Sequence, residues 1–544
     1  MRKSERLVLT VATLGLALLL IHFNLSDPFR FGPPIRSDGE GYHIWVIALK
    51  TLDFSMCSFA NFLSVSQSIA LKNQDTGICG LKYPPGVGLL QFPFTFWWAS
   101  ADVSVGYSRA QHLAVSWLGA VLVYLTAAAM FITLRLKQVQ VYAALLTVAA
   151  VVFGAGVYHY GTFDASFSHI YSAFGTSLAI LFSVWRSRSG WNYSHVVLFV
   201  ILLLWLYTIR QTNGLAIVVI CCYAAWISQA GDRWKIASSC VVAVALGVGL
   251  QIQINRSSSG NLTLSSYGSE GFDTWPPAIW DVMANSGGGL FVYYPIFLIV
   301  FLIGISRRLS AETVSFMAIT LGYILVYGSW YAPLLGAGFG HRGFVDVAPF
   351  VALALGSSLR SGSRKAFAVV TLALGVCVFV SLQIMTSYWH RTYPFLGASY
   401  EQYVSHVFRL PFSYHVYPEP YSSDVLRAVR TSFEGFRSER DGLIVMVGLT
   451  NTGTVAIDGR SEFPSRLALS WRLVDASSSG SEGWDQRLPF PSELQPGASA
   501  TLEIFLVNIG DDADALEVSF VQEGEFWAHD IGVTPLSVPL GSVR

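Results

Sequence analysis

The feature that most constrains this chain is a series of eleven apolar runs that are candidate membrane-crossing helices, although several are short for such a helix. A lipid bilayer requires every backbone hydrogen bond to be made within the chain, which a helix achieves, and about 20 apolar residues span its hydrocarbon core. Charged residues make up only 12% of the 544 residues, against the roughly 25% of soluble domains, and the mean hydropathy is +0.50. The sequence therefore predicts a polytopic helical membrane protein. The runs lie near residues 7–23, 110–134, 139–158, 170–185, 195–209, 214–230, 236–254, 290–305, 311–333, 345–359 and 366–387.

Basic residues fall on every second loop between these runs, and such loops are usually cytoplasmic. The first run has no small-residue cleavage site after it, so we interpret it as a retained signal anchor. An odd number of spans then places the loop after the first run and the C-terminal region together on the outer side, with the N-terminus in the cytoplasm. The basic clusters are Arg2, Lys3 and Arg6; Arg135 and Lys137; Arg186 and Arg188; Arg233 and Lys235; Arg307 and Arg308; and Arg360, Arg364 and Lys365.

Two outer loops are long. We expect the first, residues 24–108, to be folded onto the membrane with interfacial helices over Tyr42–Leu52 and Pro84–Trp98, since Trp and Tyr favour the interface. Cys57 and Cys79 in that loop could form a disulfide if it faces an oxidising compartment. The second, residues 255–289, is rich in Ser, Gly and Asn; loops of this length are usually functional or disordered, and we expect a lid over the membrane-facing site.

The hydropathy falls after Ile384, and residues 391–422 are expected to be a connector between a membrane domain, 1–390, and a C-terminal domain, 423–544. In the last part apolar residues alternate with polar ones, and turn signals separate the stretches. Short alternating strands at this spacing predict an antiparallel, Ig-like β-sandwich. It contains no catalytic constellation and is expected to be a structural or carbohydrate-contacting module. The predicted strands lie at Leu443–Leu449, Leu467–Leu473, Ala500–Leu506 and Leu516–Phe520.

The charges are balanced, with 34 basic and 34 acidic residues. Because no basic run or RNA-binding signature accompanies them, nucleic acid is excluded as a partner. The ionisable residues of interest are those at the edge of the membrane, where a charge is costly and usually functional.

The predicted topology collects acids and cations from five or six segments on the outer edge. Asp38 is the leading candidate, with Glu40 either orienting it or acting in its place. Asp164 needs a partner between two apolar spans, and His341 with Arg342, flanked by glycines, could hold a phosphate-sized anion. Arg109 and Arg210 could instead reach to lipid head groups, and His112 and His169 could be interhelical hydrogen-bonding residues. The remaining candidates are Tyr42, His43, Lys82 and Tyr83.

Cations near carboxylates suit glycosyl transfer from a lipid-linked phosphate. Positive donors stabilise the charge on the departing phosphate, and a carboxylate accepts the proton of the acceptor hydroxyl.

Five stretches, in this order, resemble the bacterial integral-membrane GT-C glycosyltransferases, a superfamily that includes protein O-mannosyltransferases and the aminoarabinose transferase of lipid A. The resemblance covers roughly residues 1–390. The stretches are Asp38–Tyr42, Lys82–Gly86, Ser168–Ser172, Gly288–Pro295 and Trp330–Pro349.

The resemblance implies a polyprenyl-phosphate sugar donor, an inverting reaction, and an active site on the periplasmic face of a bacterial inner membrane. It places the general base at Asp38 and a second acid at Asp164, with the donor phosphate at Lys82, Arg210, His341 and Arg342. The acceptor would be a cell-surface glycan, a lipid or a protein. Some relatives, notably oligosaccharyltransferases, use a divalent metal, for which the sequence shows no convincing ligand set.

Two other functions remain open from sequence. A transporter or flippase of a lipid-linked sugar would also need charges at membrane depth, but transporters usually show internal repeats and midplane sites, whereas here the polar residues gather at one edge. A scaffolding protein that displays the β-sandwich would leave that clustering unexplained.

Overall fold

The structure, a computed structural model, comprises two compact units. One contains Met1–Trp389 and Tyr393–Arg409, and the other contains His390–Thr392 and Leu410–Arg544. The described residues are 3–25, 34–54, 70–72, 79–99, 107–259, 262, 270–272, 275–306, 309–336, 338–360, 364–390, 393, 398–408, 421–439, 442–459, 467–474, 484, 486–491, 493–506, 513–522 and 526–541.

The first unit is helical. Its helices are α1 Lys3–Leu25, α2 Asp38–Thr51, α3 Gly86–Thr95, α4 Arg109–Leu136, α5 Val141–Gly154, α6 Val157–Thr162, α7 Ser168–Ser189, α8 Tyr193–Ile209, α9 Asn213–Ile227, α10 Arg233–Ser259, α11 Ile279–Ala284, α12 Leu290–Tyr293, α13 Pro295–Ser306, α14 Ala311–Gly328, α15 Ala348–Leu359, α16 Arg364–Trp389 and α17 Tyr400–Val407. Short 3₁₀ helices, Ala230–Asp232 and Arg342–Val347, precede α10 and α15, and an antiparallel pair, β1 Ala70–Lys72 and β2 Cys79–Leu81, precedes α3.

A helix occupies every one of the eleven predicted apolar runs. Among the described residues, six helical segments are long and apolar enough to cross a membrane, and four shorter apolar helices accompany them. This confirms the helical membrane architecture, while the number of spans stays a prediction. The six segments are Ser4–Leu25, Arg109–Leu136, Ala230–Arg256, Ala311–Gly328, Arg342–Leu359 and Lys365–Trp389.

An exposed apolar stripe runs along α1. On α1 the side chains of Leu7, Val11, Leu14 and Leu18 are all more than half exposed, and their spacing places them on one helical face. A long apolar face that the protein leaves uncovered is what a helix against lipid presents.

The helices of the first outer loop differ in their burial. Helix α2 is buried on almost its whole circumference, from Gly39 to Ala48, so it is an internal element rather than the interfacial helix expected. Helix α3 fits the interfacial expectation better, because Leu89, Phe94 and the following Trp97 are exposed. The predicted Cys57–Cys79 disulfide and most of the predicted lid lie outside the described residues and side chains.

The second unit confirms the predicted C-terminal β domain. Each predicted strand lies within an observed strand, and the pairs are antiparallel. One sheet has the order β10 (Leu536–Pro539), β8 (Ala515–Gln522), β5 (Leu467–Val474) and β6 (Leu488–Pro489), with β9 (Phe526–Trp527) on β8. The other has the order β3 (Val429–Glu439), β4 (Gly442–Asn451) and β7 (Ser499–Leu506). A single apolar core, including Val445, Ile504, Leu469 and Val518, draws on both sheets. The unit also contains the short helix α18, Ser423–Leu426, and a 3₁₀ turn at Ala528–Ile531.

Candidate active site

Asp38 lies at the first turn of α2 and is held by two side chains from distant segments. The Tyr83 hydroxyl donates to Asp38 Oδ1 at 2.7 Å, and Arg342 Nη1 lies 2.8 Å from Oδ2. Arg342 also donates through Nη2 to the Leu335 carbonyl oxygen, and its guanidinium lies 5.6 Å from the centre of the Phe167 ring. The carboxylate is therefore oriented through both oxygens by groups that are themselves fixed.

The backbone before Asp38 is strained. Ser37 has φ 51° without being glycine, a conformation that costs on the order of 1–3 kcal/mol and persists only where the surroundings enforce it. The Ile35 N–H donates to His112 Nδ1 at 3.0 Å, which anchors the chain on α4. Gly39 packs so closely on Ser166 that a side chain there would overlap it. The start of α2 is thus fixed on both sides of Asp38.

Lys82 is paired with an acid of the second long loop. Its Nζ lies 2.6 Å from Glu270 Oε1, and Tyr83, the next residue, binds Asp38. The charges of Glu270, Asp38 and Arg342 all act on the Tyr331 hydroxyl. The backbone N–H of Tyr331 donates to the Gly271 carbonyl oxygen at 3.0 Å. Lys82 and Arg342, both predicted phosphate ligands, therefore pair with different acids, Glu270 and Asp38.

Asp164 is enclosed in a second cluster. Its Oδ1 accepts from Arg36 Nη2 at 2.8 Å and from Arg36 Nε at 3.3 Å, and its Oδ2 lies 2.9 Å from His159 Nε2. Burial alone would raise the pKa of Asp164, but Arg36 and His159 outweigh it and lower the pKa from 3.8 to about 2. Asp164 is therefore a stable anion at neutral pH.

Arg210 belongs to a third cluster, deeper in the helical unit. Its guanidinium lies 3.0 Å from His169 Nδ1 and 3.7 Å from Asp346 Oδ2, and His169 Nδ1 lies 2.9 Å from Asp346 Oδ1. His169 and Asp346 are fully or almost fully buried. Asp346 lies on the same 3₁₀ helix as Arg342, Arg342–Val347, so this cluster lies near the Asp38 pair.

His341 is buried and turned away from Asp38. Its Nε2 donates to the Pro333 carbonyl oxygen at 2.9 Å, because a carbonyl can only accept, and its ring contacts those of Tyr327 and Phe344. Gly340 has φ 60°, which favours glycine. The loop thus presents Arg342, while His341 anchors it.

The other candidates near α2 are mostly structural neighbours of Asp38. The His43 ring bonds Gln91 at 2.8 Å and lies 3.3 Å from the Gln111 amide, and burial lowers its pKa to about 4, so it is neutral. Tyr42 packs on Tyr83, with ring centres 4.6 Å apart. The Glu40 carbonyl oxygen accepts from the Tyr107 hydroxyl at 3.3 Å, and Arg109 is exposed at the start of α4.

Side-chain exposure divides the four acids described above, each paired with a cation, into two kinds. Asp38 and Glu270 keep 26% and 24% of their side-chain surface, whereas Asp164 and Asp346 keep 6% and 0%. A substrate can reach only the first two without unpacking the protein. Among these four acids, Asp38, paired with Arg342, and Glu270, paired with Lys82, are the accessible ones.

A resident metal does not fit these acids. Within the part of the chain that the structure describes, no three His, Cys, Asp or Glu side chains form a group that could hold one. Asp38 and Asp164 instead bind arginines, which compete with a cation for the same oxygens.

Sequence reasoning missed several partners in these clusters. Arg36 and His159 flank predicted residues but were not among the candidates, and Asp346 lies within a stretch used for the resemblance. Each membrane-edge acid requires a counter-ion, but the sequence does not show that Arg36 is the one that meets Asp164. Trp389, which binds His159, carried no signal in the sequence.

Comparison with known proteins returns structures only. No protein-family model and no curated protein matches the chain. Solved structures of the Archaeoglobus fulgidus oligosaccharyltransferase resemble it. The apo form gives a TM-score of 0.44 at 10% identity over 76% of this chain and 61% of that one. The form tethered to an acceptor peptide containing the NVT sequon gives 0.40 at 11% identity, over 76% and 60%.

A third structure, the same archaeal enzyme in complex with Zn and sulfate, gives a TM-score of 0.38 at 12% identity over 73% of this chain and 52% of that one. The chain thus spans about three fifths of the archaeal enzyme's length or less. The function proposed below rests on the side chains of the site.

Proposed function

We propose that the protein is a GT-C type glycosyltransferase that moves a sugar from a polyprenyl-phosphate donor to an acceptor hydroxyl, with inversion, on the periplasmic face of the membrane. The observation that carries the proposal is the partly exposed Asp38 carboxylate, held between the Tyr83 hydroxyl and the Arg342 guanidinium. A carboxylate that a substrate can reach, held beside a fixed cation, is the combination of groups that this reaction needs.

Asp38 is the proposed general base. The acceptor oxygen attacks the anomeric carbon while its proton passes to an Asp38 oxygen, and the bond from that carbon to the phosphate oxygen breaks with its electron pair. A carboxylate is a weak base at neutral pH, so orientation must supply much of the rate. Tyr83 and Arg342 provide it, because each fixes one carboxylate oxygen.

Arg342 and Lys82 are the proposed ligands of the departing phosphate. Arg342 donates one N–H to Asp38 and one to Leu335, and a guanidinium carries five donors, so it can hold phosphate and still orient the base. Lys82 is paired with Glu270, and a donor phosphate would compete with that carboxylate for the ammonium. Binding of the donor is then an exchange of one anion for another.

Arg210 and His341 have supporting places in this proposal. Arg210 lies beside Asp346 and His169, from where its charge adds to the field that attracts an anion to Arg342. His341 fixes the loop that carries Arg342. Glu40, which also lies in the first turn of α2, remains the alternative base.

The test is a transfer assay with purified protein. It is incubated with a panel of radiolabelled polyprenyl-phosphate sugars and membrane fractions, and the labelled product is identified. Asp38→Asn should abolish transfer and leave the protein folded, whereas Glu40→Gln should retain it. Near-normal turnover by Asp38→Asn would refute the assignment, and loss only in Glu40→Gln would move the base to Glu40.

Arg342→Ala separates the two substrates. Donor affinity should fall more than acceptor affinity, because only the donor carries phosphate. Equal losses would contradict the phosphate role. Donor that binds and crosses the membrane without transfer, in the wild type, would favour a transporter instead.

A further inference from the structure

The Asp164 carboxylate is fully engaged by side chains, which is unusual for an acid expected to act on a substrate. Arg36 donates twice to Oδ1, His159 Nε2 contacts Oδ2 at 2.9 Å, and only 6% of the side chain is exposed. Arg36 also donates to the Phe163 carbonyl oxygen at 3.0 Å and stacks 4.3 Å from the Phe163 ring centre. Asp164 is thus closed to substrate.

The tautomer of His159 follows from its partners. Trp389 Nε1 lies 2.8 Å from His159 Nδ1, and an indole N–H only donates. Nδ1 therefore accepts, so Nε2 carries the proton and donates to Asp164. Trp389 thus donates to His159, and His159 donates to Asp164. Arg36 donates to the other oxygen of the Asp164 carboxylate.

Arg36 is the link to the reactive centre, because it lies two residues before Asp38. The Arg36 carbonyl oxygen accepts from the Gly39 N–H at 2.9 Å, and the Ser37 carbonyl oxygen accepts from the Glu40 N–H at 3.0 Å. A shift of Arg36 would therefore move the first turn of α2 and, with it, the Asp38 side chain.

We propose that Asp164 is a positioning residue rather than a second catalytic acid. Through Arg36, and supported by His159 and Trp389, it holds the strained turn that presents Asp38. The inference rests on the function proposed above for Asp38, but its structural part is measurable without any reaction.

The first test is amide hydrogen exchange of the full-length protein in detergent. Asp164→Asn replaces one accepting oxygen with an NH2 group that only donates. Both neighbours, Arg36 and the His159 Nε2–H, also donate, so one of the two contacts is lost whichever way the amide turns. Exchange of the Gly39 and Glu40 amides should accelerate by at least about tenfold, equivalent to about 1.4 kcal/mol of local opening. Unchanged exchange at these amides would overturn the proposal.

His159 offers a matched pair of variants. In His159→Gln the side chain can still accept from Trp389 and donate to Asp164, whereas His159→Leu can do neither. With a donor that the wild type uses, His159→Leu should lower kcat by about 10- to 100-fold with donor KM little changed, and His159→Gln should restore most of it. Wild-type kcat in His159→Leu would overturn the proposal.

Two comparisons separate positioning from catalysis and from general instability. If Asp164 were catalytic, Asp164→Asn would be as inactive as Asp38→Asn while His159→Leu stayed active, which would also overturn the proposal. Glu312→Gln removes a buried ion pair with Lys137, beyond the other end of α4, and should lower stability without changing kcat or the exchange of Gly39. If exchange accelerates as expected but Asp38→Asn transfers sugar normally, the proposed function fails and the positioning role of Asp164 stands.

Discussion

Replacing Gly39 by alanine should impair transfer sharply, although alanine favours helices. Gly39 lies in the first turn of α2, next to Asp38. A Cβ there would overlap both Cβ and Oγ of Ser166 and lie 3.3 Å from the Ser166 carbonyl carbon. Rotation of the Ser166 hydroxyl relieves only the contact with Oγ, so the backbone of α2 or of the 164–168 loop must move.

The expected magnitude follows from that overlap. Non-bonded carbons pack at about 3.5–4.0 Å, so relief requires a shift of about 1 Å at the residue beside the base. A misplacement of this size costs roughly 100-fold in rate, or about 2.7 kcal/mol of transition-state stabilisation. In an unobstructed helix the same substitution would stabilise the protein by about 0.5–1 kcal/mol.

Initial rates with a donor that the wild type uses, and thermal unfolding in detergent, measure both effects. Gly39→Ala should lose about 100-fold in kcat, whereas the double variant with Ser166→Gly should recover to within about tenfold of wild type, because only the 3.3 Å contact remains. Gly15→Ala on α1 is the matched control, since a Cβ there meets nothing within 4 Å. Full activity in Gly39→Ala, or no recovery in the double variant, would refute the reasoning.

Two further predictions follow from the ion pairs. The folded-state pKa of Asp164, about 2 against 3.8, contributes about 2 kcal/mol of stability that is present above pH ~4 and lost as the pH falls through 2. The gap in unfolding free energy between wild type and Asp164→Asn should therefore narrow by about 1 kcal/mol from pH 7 to pH 3; a constant gap would contradict the pKa. At the Lys82–Glu270 pair, Glu270→Gln should lower the donor KM and Lys82→Met should raise it, with acceptor KM unchanged in both; a higher donor KM in Glu270→Gln would exclude competition between Glu270 and the phosphate.

The apolar runs predicted the helices well because hydropathy is a local property. The four strands that were predicted in the C-terminal domain were found for a similar reason, since alternation with period two is visible within one strand. Pattern alone did not settle how deeply α2 is buried. Its residues Tyr42–Leu52 look interfacial in sequence, but Gly39 lets the start of the helix pack closely on Ser166, and most of the helix surface is covered.

The sequence singled out Asp38, Lys82, Asp164, Arg210 and Arg342 as charges that needed an explanation, and it could do no more. Their partners depend on packing: Arg36 and Asp164 are 128 residues apart, and Trp389 and His159 are 230 apart. The hydropathy of these segments does not show which of their residues come into contact.

The sequence by itself determined the helical membrane part, the β domain and the set of costly charges, because solvation by lipid or by water acts on each residue where it stands. Only the tertiary structure decided which of the acids is accessible to a substrate. Asp38 and Asp164 both bind an arginine, but Asp38 keeps 26% of its surface and Asp164 keeps 6%. That difference arises from how the helices pack around each carboxylate, since burial is a property of the assembled neighbours and not of the residue.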